Sequence, residues 1–234
     1  SRQNTKILIT GANGQLGHEM RNALKGNNRF ECIFTDVAEL DICNAEAVKQ
    51  IIADNHIDYI VNCAAYTQVD KAEDNAELCK KINTDAVENL ARAAADYGAR
   101  MIHISTDYVF NGRGYRPYTE DMVPDPQSVY GSTKLEGEKI LTDICPESII
   151  IRTAWLYSPY GNNFVKTMLH LGEEREELSV VADQIGTPTC AADLAQAILV
   201  ILQADTFVSG TYHFSDEGVC SWYDFTVTIH RLAG

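Results

Sequence analysis

The chain has 234 residues, of which 45% are hydrophobic and 22% are charged, and its formal net charge is −14. A chain of this size can bury a full core, and its acidic charge argues against binding to the phosphate backbone of nucleic acids. No apolar run approaches the roughly 20 residues that span a bilayer, so we expect no membrane partner.

The seven cysteines are scattered, odd in number and never spaced C-x-x-C. This pattern argues against a disulfide framework and against a zinc site, and it is typical of a reducing compartment. The N-terminus enters an apolar strand directly, without the features of a secretion signal. We therefore expect a cytoplasmic location.

Short β-branched apolar runs alternate with helical patterns along the first 155 residues. The predicted strands cover residues 6–10, 30–35, 59–62, 101–105 and 148–153, and the predicted helices cover residues 14–25, 44–55, 75–97 and 129–144. Continuous apolar strands such as "KILIT" and "DYIVN" indicate burial on both faces, as in a parallel sheet. The alternation predicts an α/β fold with a doubly wound, Rossmann-like parallel sheet.

The pattern changes after residue 155. A turn-rich stretch at 158–163 and a small strand with a loop at 178–189 precede a predicted helix at 191–202 and a last strand, "GTYHF". We interpret this half as a smaller C-terminal lobe that is interleaved with late elements of the main sheet.

The first predicted strand runs into "GANGQLG", which places Gly11, Gly14 and Gly17 between a strand and a helix. This order lets the backbone approach a pyrophosphate at the helix N-terminus. Asp36 stands 19 residues after Gly17, at a strand end where a carboxylate can accept hydrogen bonds from an adenosine ribose. Because no Arg or Lys directly follows Asp36, the pattern predicts NADH or NADPH as cofactor, with NADH slightly favoured.

The stretch "VYGSTKLEGE" places Tyr130 and Lys134 one turn apart on a predicted helix, and Thr106 and Asp107 follow a predicted strand at the ligand-binding edge of the sheet. A phenol has a pKa near 10, which a neighbouring ammonium lowers, and a hydroxyl can orient the reacting oxygen. Each residue alone could equally serve packing or solvation. Together they predict a site that reduces a carbonyl with a hydride from the cofactor and a proton from Tyr130.

Seven segments, taken in their order, resemble the extended short-chain dehydrogenase/reductase family, and within it the dTDP-4-dehydrorhamnose reductases: "GANGQLG", "VNCAAYTQVDKAE", "STDYVFNG", "VYGSTKLEGE", "RTAWLY", "GNNFVKTM" and "DQIGTPT". The likeness covers nearly the whole chain. It implies NAD(P)H-dependent reduction of the C4 carbonyl of dTDP-4-dehydro-L-rhamnose, in the biosynthesis of cell-surface polysaccharide. The implied partner is a dTDP-sugar, and a homodimer is left open.

The resemblance also implies roles for the matched positions. Tyr130 is the proton donor, Lys134 lowers its pKa and bonds the nicotinamide ribose, and Thr106 bonds the substrate oxygen. Asp107 and Trp155 match further substrate contacts. The implied cofactor contacts are Gly14, Gln15 and Leu16 at the pyrophosphate, Asp36 at the adenosine ribose, Asp41 and Ile42 at the adenine, and Ala65, Tyr66 and Thr67 along the cofactor.

The resemblance divides the chain into an NAD(P)-binding Rossmann domain, residues 1–155, and a substrate-binding lobe, residues 156–234. Family members continue beyond the point where this chain ends, so we expect the lobe to be truncated. Some members hold a divalent metal through glutamates at a dimer contact. Glu19 fits one such position, but Ala192 stands where another would lie, and we expect no metal.

Two alternatives remain open. One is another nucleotide-sugar enzyme of the same superfamily, an epimerase, a dehydratase or a further reductase; a 4,6-dehydratase is expected to carry Glu where this chain has Tyr108. The other is a non-catalytic regulatory subunit similar to that of methionine adenosyltransferase. The presence of Thr106, Tyr130 and Lys134 favours an enzyme over a purely binding role.

Overall fold

The computed structural model of the protein describes residues 4–110, 123–153, 156–157 and 189–214. The strands and α-helices follow one another in this order: β1 (Thr5–Thr10), α1 (Gln15–Leu24), β2 (Phe30–Phe34), α2 (Ala45–Asn55), β3 (Tyr59–Asn62), α3 (Val69–Ala72), α4 (Ala76–Lys80), α5 (Ala86–Tyr97), β4 (Arg100–Thr106), α6 (Val129–Ile144), β5 (Ile149–Thr153), β6 (Leu156–Tyr157), β7 (Thr189–Cys190), α7 (Ala191–Gln203) and β8 (Gly210–Phe214). A π-helical turn, Lys81–Asp85, joins α4 to α5, and a 3-10 turn, Asp107–Val109, follows β4.

The main sheet has six strands in the order β2-β1-β3-β4-β5-β8, and β6 and β7 form a separate two-stranded sheet. Every neighbouring pair in the main sheet is parallel. The carboxyl ends of its strands therefore meet at one edge, where open α/β sheets bind their ligands. The predicted α/β fold class is confirmed.

Helices cover both faces of the main sheet. Ile7 and Ile9 of β1 lie in a buried cluster with residues of α1 and α7, and Leu8 between them lies in a second cluster with residues of α2, α5 and α6. Successive side chains of a strand point to opposite faces, so a strand covered on both sides is apolar throughout. This explains the continuous apolar runs of the sequence.

The prediction of one continuous helix at residues 75–97 is wrong, because the π-helical turn separates α4 from α5. Two tertiary contacts meet at this turn. The side-chain oxygen of Asn83 accepts a hydrogen bond from the backbone N–H of Tyr66, at an N···O distance of 2.9 Å. The carbonyl oxygen of Asn83 faces Gly137 of α6, so closely that a Cβ there would clash with it. The wide turn thus fits these partners rather than a local propensity.

Replacing Gly137 by Ala is expected to lower the free energy of unfolding by about 1–3 kcal/mol, the usual cost of adding a methyl group to a packed interior. The clash with the Asn83 carbonyl outweighs the roughly 1 kcal/mol that Ala gains over Gly within a helix. Denaturant unfolding measures the difference. Ser132→Ala, at an exposed position of the same helix, is the control and should not destabilise. Equal stability of Gly137→Ala and the wild type would refute this account of the helix contact.

The late elements complete the main sheet, since β8 pairs with β5 and α7 packs against α1. The stretches interpreted at 158–163 and 178–188 lie outside the described residues. The predicted domain boundary at residue 155 does so as well, and it stays a prediction. Among the helices that the structure describes, none has the length and apolar content required to cross a membrane.

Candidate active site

The glycine turn between β1 and α1 packs against the loop that follows β3. Gly11 has a φ of 62°, and a Cβ there would lie 2.6 Å from the backbone nitrogen of Ala64. A Cβ at Gly17 would lie 2.5 Å from the backbone of Ala12. Only glycine fits these two positions, and the strand, turn and helix stay close together as a result.

The N-terminus of α1 fits the pyrophosphate of a dinucleotide. The N-cap residue is Gly14, and no side chain caps the first turn, so backbone N–H groups at the helix start are available to an anion. Gln15 is half-buried, whereas the Leu16 side chain is 4% exposed and packs in the core. The predicted contact of Leu16 would therefore be made by its backbone.

Asp36 follows β2 beside the glycine turn. One carboxylate oxygen accepts a hydrogen bond from the backbone N–H of Asn13 (3.0 Å), and the other accepts from the N–H of Val37 (2.8 Å). Glu39 in turn accepts from the backbone N–H of Asp36 (3.1 Å). Two carboxylates thus lie side by side at the end of β2, next to the glycine turn.

The predicted adenine contacts follow in the next loop. Asp41 is exposed, and its carboxylate accepts a hydrogen bond from the backbone N–H of Cys43 (3.0 Å). Ile42 is buried, and its carbonyl oxygen accepts from the side-chain amide of Asn89 (3.0 Å). The exposed Asp41 is therefore accessible to a ligand, whereas the buried Ile42 anchors the loop to Asn89.

The loop after β3 holds Ala65, Tyr66 and Thr67, of which the first two are half-buried and the last is exposed. Its anchor is Asn83, which also donates a side-chain hydrogen bond to Thr133 of α6 (3.3 Å). Asn83 thereby ties the cofactor loop to the helix that carries Tyr130 and Lys134. The sequence analysis missed this residue, because its role depends on the π-helical turn.

Tyr130 is buried on α6, and its ring meets that of Tyr108 edge to face, with centroids 5.4 Å apart. Burial raises the pKa of Tyr130 above the ordinary value of a phenol, and a hydrogen bond with the Thr106 side chain partly opposes this rise. The Thr106 oxygen accepts from the backbone N–H of Tyr108 (3.1 Å), so its own proton can point to the phenol oxygen. The net shift is opposite to the lowering predicted from Lys134, which is not among its causes, because burial dominates. The phenol is therefore protonated at neutral pH and can donate.

Lys134 is 1% exposed, and its Nζ donates a hydrogen bond to the carbonyl oxygen of Ile104 in β4, at 2.7 Å. Burial lowers the pKa of Lys134 to about 8, and the negative charge of Glu138 opposes this shift. Ile104 lies two residues before Thr106, so this bond holds the ammonium next to the end of β4.

Asp107 begins the turn after β4 and is 8% exposed. Its Oδ1 has no hydrogen-bond partner among the residues that the structure describes, and burial raises the pKa of Asp107 to about 7. A buried carboxyl oxygen without a partner is costly, and a ligand hydroxyl would relieve that cost. The position fits the predicted substrate contact.

A second polar cluster that the sequence analysis missed lies one turn further along α6. Arg152 of β5 donates to Glu138 through Nη2 (2.7 Å) and Nε (3.1 Å), and the hydroxyl of Ser105 donates to Glu138 at 2.5 Å. Ser105 and Arg152 are register partners on β4 and β5. The signal in the sequence was an acidic residue on the Tyr130–Lys134 face together with an arginine inside an apolar strand.

The structure thus brings the four predicted polar residues Thr106, Asp107, Tyr130 and Lys134 to the edge of the sheet that also carries the glycine turn. Trp155 lies outside the described residues. Burial raises the pKa of the Cys63 thiol, near Lys134, to about 12, which fits packing rather than reactivity.

Comparison with known proteins agrees with this architecture. The family model of the RmlD substrate binding domain matches residues 5–234. A dTDP-4-dehydrorhamnose reductase of Aggregatibacter actinomycetemcomitans is 44% identical over 228 residues, which are 96% of this chain and 78% of that protein.

Two solved structures are similar to nearly the whole of this chain. A dTDP-4-dehydrorhamnose reductase of Clostridium acetobutylicum is 51% identical with a TM-score of 0.84, over 97% of this chain and 80% of that one. The Bacillus anthracis dTDP-4-dehydrorhamnose reductase in complex with NADP is 43% identical with a TM-score of 0.84, over 100% and 82%. The chain belongs to the RmlD family, the family of the dTDP-4-dehydrorhamnose reductases, and it is an oxidoreductase.

Proposed function

We propose that the protein reduces the C4 carbonyl of dTDP-4-dehydro-L-rhamnose to give dTDP-L-rhamnose, in cell-surface polysaccharide biosynthesis, with NADH or NADPH. The observation that carries this proposal is the buried set of Thr106, Tyr130 and Lys134 at the same sheet edge as the glycine turn. The family relation supports the substrate, since the curated relative from A. actinomycetemcomitans is a dTDP-4-dehydrorhamnose reductase.

NADH or NADPH, when bound, would supply the hydride for the carbonyl carbon. Tyr130 gives its proton to the carbonyl oxygen, and its raised pKa keeps that proton in place until charge develops on the oxygen. The hydrogen bond from Thr106 stabilises the phenolate that remains. In this proposal the Lys134 ammonium, one helical turn further along α6, adds to that effect. Asp107, whose Oδ1 has no partner within the described part of the chain, bonds a hydroxyl of the sugar.

The choice between the two cofactors depends on the end of β2. Asp36 and Glu39 repel a 2′-phosphate, and no Arg or Lys stands among residues 36–41 to attract one. NADP is nevertheless the ligand of the B. anthracis relative. We therefore expect both cofactors to work, with NADH slightly favoured.

The test follows oxidation of NADH and of NADPH by the loss of nicotinamide absorbance, with dTDP-4-dehydro-L-rhamnose as substrate. Turnover with formation of dTDP-L-rhamnose is the expected result, and the two rates rank the cofactors. Cofactor binding without turnover would instead indicate the regulatory-subunit alternative. Interconversion of C4 epimers of a nucleotide sugar, without net cofactor oxidation, would indicate an epimerase.

We further propose that the protein acts in the cytoplasm on a free nucleotide-sugar, without a nucleic acid or membrane partner. The formal charge of −14 and the free thiols of buried Cys79 and Cys145 support this location. Cell fractionation is the check: recovery of the protein in an oxidising compartment or bound to membranes would contradict it.

A further inference from the structure

The face of α6 that carries Tyr130 and Lys134 holds a third buried polar side chain. Glu138 follows Lys134 by one helical turn, a spacing that leaves about 5–6 Å between the Cβ atoms. Lys134 is 1% exposed and Glu138 is 4% exposed. Water and salt screen two charges at this depth only weakly, so each strongly affects the other.

Glu138 forms an ion pair with Arg152 and lies one helical turn from Lys134. The Arg152 guanidinium bonds its carboxylate through two nitrogens, and the Ser105 hydroxyl donates to one of its oxygens. The other side of the guanidinium faces the ring of Phe110, 5.3 Å from its centroid. Arg152 therefore has a fixed position, and it holds the Glu138 carboxylate in place.

Other polar groups also lie near Lys134. From β4 come the Ile104 carbonyl and His103, whose pKa burial lowers well below its ordinary value. From the loop after β3 comes Cys63, a thiol with a pKa of about 12. From α4 comes the Cys79 thiol. Among the described residues, the Glu138 carboxylate is the group that most favours the charged form of Lys134.

We propose that Glu138 is a positioning residue that keeps the Lys134 ammonium charged and on the Ile104 carbonyl, and that Arg152 limits how much of the Glu138 charge Lys134 feels. This inference rests on the proposed function, in which Lys134 stabilises the phenolate of Tyr130. It assigns the pH range of activity to a buried ion pair that touches neither substrate nor cofactor.

The proposal makes predictions of opposite sign for the two partners. Glu138→Gln leaves Lys134 facing Arg152 alone, so Lys134 loses its proton at lower pH, and the alkaline limb of the kcat/KM profile moves down by about one pH unit or more. Arg152→Met leaves the full charge of Glu138 to Lys134, so that limb moves up. The double variant removes both charges, and its limb lies between those of the two single variants.

The experiment measures pH profiles of kcat/KM for the full chain with dTDP-4-dehydro-L-rhamnose and NADPH. Glu136→Gln, an exposed carboxylate on the same helix, is the matched control and leaves the profile unchanged. The double variant guards against loss of folding, because it leaves neither Glu138 nor Arg152 buried without its partner. Shifts of Glu138→Gln and Arg152→Met in the same direction, or no shift in Glu138→Gln, would overturn the proposal.

A direct titration separates this inference from the proposed function. NMR of the protein with labelled lysines follows the protonation of Lys134, with Lys134→Met assigning its signal. If the wild type fails to reduce the keto-sugar, the function fails, while a lower titration midpoint in Glu138→Gln still supports the electrostatic link. An unchanged midpoint in that variant would overturn the link even in an active reductase.

Discussion

Replacing Tyr130 by Phe is expected to lower kcat by about 10²–10⁴-fold, the usual contribution of a positioned proton donor. The phenylalanine ring keeps the edge-to-face contact with Tyr108 and the packing against Ala72 and Cys79, so the fold and the cofactor site stay intact. The change removes only the hydroxyl that bonds Thr106. Steady-state turnover and fluorescence titration with NADPH measure the two effects separately.

Tyr97→Phe is the matched control, because this tyrosine is 44% exposed at the end of α5 and its hydroxyl should not affect turnover. A Tyr130→Phe protein with near-normal kcat would show that another group donates the proton. A variant that loses NADPH binding as well would place the hydroxyl in the cofactor site rather than in proton transfer.

Replacing Lys134 by Met is expected to abolish most turnover and yet to stabilise the protein at neutral pH. Burial lowers the pKa of Lys134 to about 8 from the ordinary value of 10.5, so the folded state binds its proton more weakly than the unfolded state. The ammonium therefore destabilises the fold fully below about pH 8, and this cost disappears as the pH rises toward 10.5. The shift corresponds to at most roughly 3 kcal/mol.

Denaturant unfolding at pH 7 and at pH 9.5 tests this reasoning. The gain of Lys134→Met over the wild type should be about 1–3 kcal/mol at the lower pH and smaller at the higher one. Lys139→Met, on the exposed side of the same helix, should show no such dependence on pH. Destabilisation of Lys134→Met by the same amount at both values would mean that the bond to Ile104 outweighs the buried charge.

Local patterns predicted most of the fold. The helix Val129–Ile144 has the predicted bounds, because Ser128 caps its start by accepting from the Gly131 N–H (3.0 Å). The strands at 59–62 and 210–214 also agree with the structure. The alternation of strands and helices was enough to predict the parallel sheet. The match to the RmlD family confirms the family and the enzyme class. The site residues and the domain boundary stay predictions.

The parts that could not be predicted depend on contacts between distant segments. The π-helical turn accommodates Tyr66 and Gly137, and no local property of residues 81–85 specifies either partner. The pairing of Glu138 with Arg152 requires the register between β4 and β5, which places Ser105 beside Arg152. Helical spacing brings Tyr130, Lys134 and Glu138 together on one face, but only the register shows which strand residues that face meets.

The strand order has a consequence for how the chain assembles. Strand β1 lies between β2 and β3, and β4 and β5 then add outward in chain order, so each new strand pairs with one made shortly before. In contrast, residues 154–209 connect β5 to β8, and this is the longest connection between neighbouring strands of this sheet. The entropic cost of bringing two strands together rises with the length of the connection between them. During synthesis, the half of the sheet that carries the glycine turn can therefore form while β8 has yet to leave the ribosome.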